Sequence, residues 1–139
     1  MAYQSATSGE RLNIPHACHP YRPVSTYTTP VKGHLVKLDT SGNGLVARCA
    51  DGDVPLGMVW STNNGNGVLS ILEFRGNFVE LEYTGTFAVG DKIVSNGVDG
   101  TVNIGGFHRD KVKHDNTNGI GTVITKDSLR TSSSIVRFP

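Results

Sequence analysis

The chain is poor in several things at once, and each shortage excludes a class. It has only two cysteines, Cys18 and Cys49, in 139 residues. That is too few for a disulfide framework, and two free thiols in a reducing compartment are the expectation. Charged residues make up 18% and the formal net charge is +1. This balance lacks the basic excess or stripe of a polyanion-binding protein, so no nucleic-acid partner is expected. No run approaches the roughly 18 apolar residues of a membrane span, and no membrane partner is expected. The start, MAYQSATSGER, lacks a basic segment followed by an apolar run, so a secretory signal is not expected. Helix signals are also scarce. No window sustains apolar spacing at three and four residues, and glycine interrupts too often.

Proline and glycine are unevenly spread. Four of the six prolines lie in residues 1–30, whereas sixteen of the seventeen glycines fall at or after Gly33. The first stretch holds Pro15, Pro20, Pro23 and Pro30, three of the four tyrosines, and only Leu12, Ile14 and Val24 as larger aliphatics. Proline fixes φ and pushes the residue before it towards extended geometry, so no useful helix forms here. The composition predicts an extended N-terminal arm, 1–30, that lies on a partner, joined to a single β-domain, 31–139. The expected anchors are Tyr3, Arg11, Leu12, Ile14, Pro15, His16, Tyr21, Arg22, Pro23 and Tyr27. The tyrosines among them bury large area with few rotors.

From Val31 onward the signals are those of strands. His34–Asp39 and Leu45–Cys49 flank Thr40-Ser41-Gly42-Asn43-Gly44, a hairpin turn. Val54–Trp60, Gly67–Arg75 and Asn77–Tyr83 follow. In the last, Val79, Leu81 and Tyr83 face one way and Phe78, Glu80 and Glu82 the other, as on a half-buried sheet. Short strands about Ile93-Val94 and Thr101–Ile104 are linked by Asn-Gly and Asp-Gly turns. Phe107–Asn118 reads as an exposed polar loop, and Gly119–Thr125 and Ser134–Phe138 close the pattern. About nine short strands predict an all-β fold, a small barrel or sandwich. Trp60, Phe74, Phe78, Phe87 and Phe138 are the expected large core residues.

Several motifs come near to chemistry and miss. In Gly85–Lys92 (GTFAVGDK), Asp91 separates the second glycine from the lysine, Ile93 stands where a hydroxyl is needed, and a strand follows instead of a helix. A phosphate loop is therefore not expected. Asp39–Gly44 has oxygen side chains at loop positions 1, 3 and 5, but Ala50 occupies position 12, where a calcium loop needs its bidentate carboxylate. The same stretch misses Asp-Thr-Gly by one inserted serine. His16, Cys18 and His19 are three candidate metal ligands within four residues, but in an extended segment they do not converge, and no second pair completes a site. Ser132, Ser133 and Ser134 lack a nucleophile elbow. The basic residues His108, Arg109, Lys111, Lys113 and His114 are interrupted by Asp110 and Asp115 and read as a solvated loop. No catalytic residue, metal or cofactor is expected.

The order of the segments resembles the bacteriophage head decoration, or capsid cement, proteins. Val31–Asp39 is similar to their opening strand, followed by a glycine turn and a strand like Leu45–Cys49. Pro55-Leu56-Gly57-Met58-Val59 resembles their x-Gly-x-Val strand. Phe87–Val94 with Asp99-Gly100-Thr101-Val102 resembles their most recurrent segment, and Ile120–Ile124 and Ile135–Phe138 their closing strands. The resemblance spans about residues 31–138. It implies a β-tulip-like small barrel and a non-enzymatic virion protein, made in the bacterial host cytoplasm, that docks outside an expanded head. Its implied partners are the major capsid protein and itself, as a homo-oligomer with a trimer favoured over a dimer. The other reading kept open is a carbohydrate- or cell-surface-binding β-domain of a virion. A glycan platform needs exposed aromatics, and Trp60 is expected in the core.

Overall fold

The computed structural model describes residues 18–62, 66–97, 101–102, 108–127 and 132–139. Among them are twelve short strands: β1 (Cys18–Pro23), β2 (Leu35–Asp39), β3 (Leu45–Arg48), β4 (Gly57–Ser61), β5 (Leu69–Glu73), β6 (Phe78–Glu82), β7 (Ile93–Ser95), β8 (Thr101–Val102), β9 (His108–Arg109), β10 (Val112–His114), β11 (Thr122–Lys126) and β12 (Ser133–Arg137). The fold is all-β, as expected. A closed barrel runs in the order β1-β3-β2-β4-β5. A three-stranded sheet, β11-β12-β6, and the pairs β10-β7 and β8-β9 complete it.

Two apolar layers follow from the period of two along the barrel strands. Val36, Val46, Val59, Leu69 and Ile71 turn inward and, with Tyr27, fill the barrel. Their neighbours Leu35 and Met58 point outward, onto Phe74, Val79, Leu81, Phe87, Ile93, Val112, Val123, Val136 and Phe138. Strands β2 and β4 are thus buried on both faces, which is why LVKLD and GMVWS lack a clean polar alternation. The ring centroids of Phe74 and Phe138 lie 4.8 Å apart in this second layer. Gly57 lets β4 approach β5 closely: a Cβ there would lie 2.2 Å from the Leu72 carbonyl oxygen.

The chain does not divide at residue 30 into arm and domain. Residues 18–23 do not form an arm apart from the domain. They are the strand that closes the barrel, antiparallel to β5 (Cys18↔Leu72 to Tyr21↔Leu69) and parallel to β3 (Arg22↔Leu45). The strand contains two prolines, which cannot donate to a ladder. Their positions resolve the conflict. The Arg22 and Val24 amides donate to the Gly44 and Val46 carbonyls of the β3 side. Pro20 therefore faces that side two residues before the pairing begins. Pro23 faces β5, beyond the last pair at Tyr21. Neither missing N–H was needed.

Three further expectations change. Phe107–Asn118 is not an exposed polar loop: it contains β9 and β10, and Asp110 and Val112 are buried. Phe78 is not a core residue but is 67% exposed. Trp60 is half-buried, with the Lys32 ammonium 4.6 Å from its ring centroid.

Candidate interaction surface

The framework is pinned by one buried acid. Asp110 follows β9, and its amide donates to the Gly33 carbonyl. Its carboxylate is fully buried; Oδ2 accepts from the Leu35 amide at 3.0 Å and from Arg48 Nε at 3.1 Å, and Oδ1 accepts from the other arm of the guanidinium at 2.6 Å. A bidentate arginine and a backbone donor satisfy the buried charge, and they tie the segment between β9 and β10 to β2 and β3. Beside this lock, Tyr27 Oη and His34 Nδ1 are hydrogen-bonded at 2.7 Å inside the barrel.

The expected site residues divide into two groups. Tyr3, Arg11, Leu12, Ile14, Pro15 and His16 lie outside the described residues. Tyr21, Arg22, Pro23 and Tyr27 are all held by the domain. Tyr21 is half-buried against the barrel core and donates to Glu73 Oε2 at 2.8 Å. Burial, reinforced by the Glu73 carboxylate, pushes its hydroxyl up to about 12. His19 Nδ1 reaches the same oxygen at 2.8 Å. Arg22 is exposed, and its guanidinium donates to the Asn66 carbonyl. Tyr27 is only 9% exposed and is a core residue, not an anchor for another molecule.

Sequence reasoning missed the outer face of the three-stranded sheet. Pairing across β6, β12 and β11 sets Phe78 opposite Arg137, and Arg137 opposite Thr122. Ile135, half-buried, stands opposite Glu80 in the next row on this face. Phe78 and Arg137 are both exposed, on neighbouring strands about 4.8 Å apart. The Gly90 amide donates to the Val123 carbonyl, so the turn carrying Val89, 65% exposed, flanks the same sheet. The signal was in the alternation: Phe78 shares its parity with Glu80 and Glu82, the wetter face, and only its aromatic character argued for the core. A second exposed apolar pair, Leu38 and Val54, sits where β2 runs out beside the approach to β4.

The near-miss motifs are accounted for by turns and ladders. The Ala88 amide donates to Asp91 Oδ2, and an Asn116 amide donating to Asp91 holds that carboxyl below its ordinary range. Asp39 accepts from the amide and the hydroxyl of Ser41, which lowers its pKa in the same way. Buried Ser133 and Ser134 donate to Glu80 Oε2 and to the Leu81 carbonyl, knitting β12 to β6. The basic residues near β10 are engaged separately: Lys113 pairs with Asp51 at 2.8 Å, and His114 Nδ1 contacts the Thr86 carbonyl at 2.8 Å. Both cysteines are free; burial raises Cys18 to about 11 and Cys49 to about 12. Among the described residues no three histidine, cysteine or acidic side chains are grouped to hold a metal ion.

No family model, curated protein or solved structure matches the chain.

Proposed function

We propose that this protein is a structural, non-enzymatic virion component that binds the outside of an expanded phage head and bridges neighbouring major capsid subunits, acting as a homo-oligomer, a trimer in preference to a dimer. The observation that carries the reading is the exposed Phe78–Arg137 pair on a sheet whose other face is core. Aromatic residues and arginine are the types enriched where proteins meet proteins. Here they stand on strands rather than on a loop, so little side-chain and backbone freedom remains to be lost on docking. The order of segments that resembles the cement proteins supplies the partner. DNA packed in a head pushes outward, and a compact two-layer β-domain fixed across a subunit joint resists that push without moving parts.

In this reading Tyr3, Arg11, Leu12, Ile14, Pro15 and His16, which lie outside the described residues, add to the docking contact. Arg22, exposed at the far end of β1, is a further contact in this reading. A carbohydrate site is the weaker reading, because Trp60 carries the Lys32 ammonium over its ring and is half-buried.

The test is co-sedimentation with expanded heads that lack the protein, using unexpanded heads as control and three preparations: the full chain, a chain lacking residues 1–17, and Phe78→Ser/Arg137→Ser. Saturable binding of the full chain to expanded heads alone, weakened by both alterations, is the expected result. Failure of the full chain to bind either form of the head would remove the reading. Undiminished binding by the double variant would move the docking face elsewhere.

A further inference from the structure

Asparagine followed by glycine occurs at Asn43-Gly44, Asn64-Gly65, Asn66-Gly67, Asn96-Gly97 and Asn118-Gly119. The second of these lies outside the described residues. The other four fall into two pairs. The Gly97 amide donates to Ser95 Oγ at 3.0 Å in a buried setting, and the Gly119 amide donates to the Asp115 carbonyl at 2.8 Å. Asn43, Gly44, Asn66 and Gly67 are all exposed. Among the described residues no hydrogen bond holds the Gly44 or the Gly67 amide. A Cβ at Gly44 would meet nothing within 4 Å, so the space beside its Cα is open.

Both exposed steps converge on one residue. The Gly44 carbonyl accepts the Arg22 amide, the bond that starts the parallel pairing of β1 with β3. The Asn66 carbonyl accepts the Arg22 guanidinium. The side of the barrel where β1 joins β3 is thus held, at Arg22, by two backbone carbonyls that belong to Asn-Gly steps.

We propose that Asn43-Gly44, and after it Asn66-Gly67, are sites of spontaneous self-modification that loosen the barrel-closing strand with age. The Gly44 amide nitrogen gives up its proton to solvent and attacks Cγ of Asn43. A new C–N bond forms, the Cγ–Nδ2 bond breaks, and ammonia leaves, giving a five-membered succinimide. Water then opens the ring at either carbonyl, leaving aspartate or isoaspartate, with no oxidant or reductant involved. Each event adds a negative charge beside Arg22. The isoaspartate product also inserts a methylene into the main chain one residue before the Gly44 carbonyl that holds the Arg22 amide, so that bond loses its register. Gly97 and Gly119 are spared because their nitrogens are held as donors and must first be released by local opening.

Trypsin separates three of the steps, on peptides 38–48, 93–109 and 114–126. The full chain is incubated under native conditions at mildly alkaline pH, and amide-to-acid conversion in each peptide is followed by mass spectrometry, with a parallel sample in urea. Peptide 38–48 is expected to convert several-fold faster than the other two in the native sample, and all three at similar rates in urea. Conversion of 93–109 or 114–126 as fast as 38–48 in the native protein would overturn the site assignment, as would a 38–48 peptide that converts only in urea. The loosening is read by hydrogen exchange at the Arg22 amide. It should quicken in aged wild-type protein and stay unchanged in aged Asn43→Gln/Asn66→Gln; equal exchange in the two would overturn the link to barrel closure.

Discussion

Replacing Tyr27 by alanine separates two opposed pictures of the N-terminal stretch. If the tyrosine belonged to an arm lying on another molecule, its loss would leave the stability of the isolated protein within about 0.5 kcal/mol, as for most surface changes. In the structure its ring is 9% exposed, packed with Val36, Val46 and Ile71 inside the barrel, and its hydroxyl is 2.7 Å from His34 Nδ1. Truncating a buried aromatic side chain costs about 3–5 kcal/mol, and a buried hydrogen bond adds roughly 1 kcal/mol. The sum is comparable to the lower end of the 5–15 kcal/mol that holds a typical domain. Tyr27→Ala is therefore expected to be unfolded or nearly so, and Tyr27→Phe to lose about 1 kcal/mol. Urea unfolding followed by fluorescence of the single tryptophan, Trp60, and by far-ultraviolet circular dichroism measures both. A loss below about 1 kcal/mol for Tyr27→Ala would refute the placement of this residue in the core. The same logic separates two truncations: removal of residues 1–17 should leave a folded protein, whereas removal of 1–30 takes away the strand that closes the barrel.

Asp110→Ala leaves the partly buried Arg48 guanidinium and the Leu35 amide without their acceptor, and is expected to cost about 3–5 kcal/mol in urea unfolding. Pairing it with Arg48→Met should recover much of that loss, since the destabilisation comes from the stranded charge; no recovery would point to packing instead. Gly57→Ala forces a methyl group against the Leu72 carbonyl and should lower stability by about 1–3 kcal/mol, read as a drop in Tm. In alkali the buried thiol of Cys49, raised by burial from 9.0 to about 12, makes the folded state resist deprotonation that the unfolded chain accepts. Cys49 alone then leaves stability unchanged below about pH 9 and lowers it by up to about 1.4 kcal/mol per pH unit between 9 and 12; Cys18, raised to about 11, adds to the loss above pH 9, and Tyr21 and Tyr27, both raised by burial, add to it above about pH 10. A urea midpoint that held steady across this range, or one that recovered its alkaline loss in neither Cys49→Ala nor Cys49→Ser, would contradict the assignment.

Much of the fold was legible because glycine turns and alternating apolar residues are local signals. The hairpin of β2 and β3, the inward Val79 and Leu81, and the closing strands β11 and β12 all follow from neighbours in sequence. What was hidden depends on contacts far along the chain. Pro20 and Pro23 fit an extended arm as well as a strand until their partners show that the barrel ladder needs neither N–H. Asp110 reads as a solvated charge among lysines until Arg48, 62 positions away, is found beside it. Phe78 belongs by parity to the wetter face, and only its aromatic character points to the core. The candidate docking face was missed for the same reason, because an exposed Phe78–Arg137 pair exists only once β6 and β12 are aligned.

The most direct measurement is an electron cryomicroscopy reconstruction of expanded heads saturated with the purified protein. Density for the barrel on the outer surface, seated across joints between major capsid subunits at a fixed number of copies per capsomer and with the Phe78–Arg137 face turned to the shell, is the expected result. Heads whose outer surface carries no added density at saturating protein would contradict the proposed role.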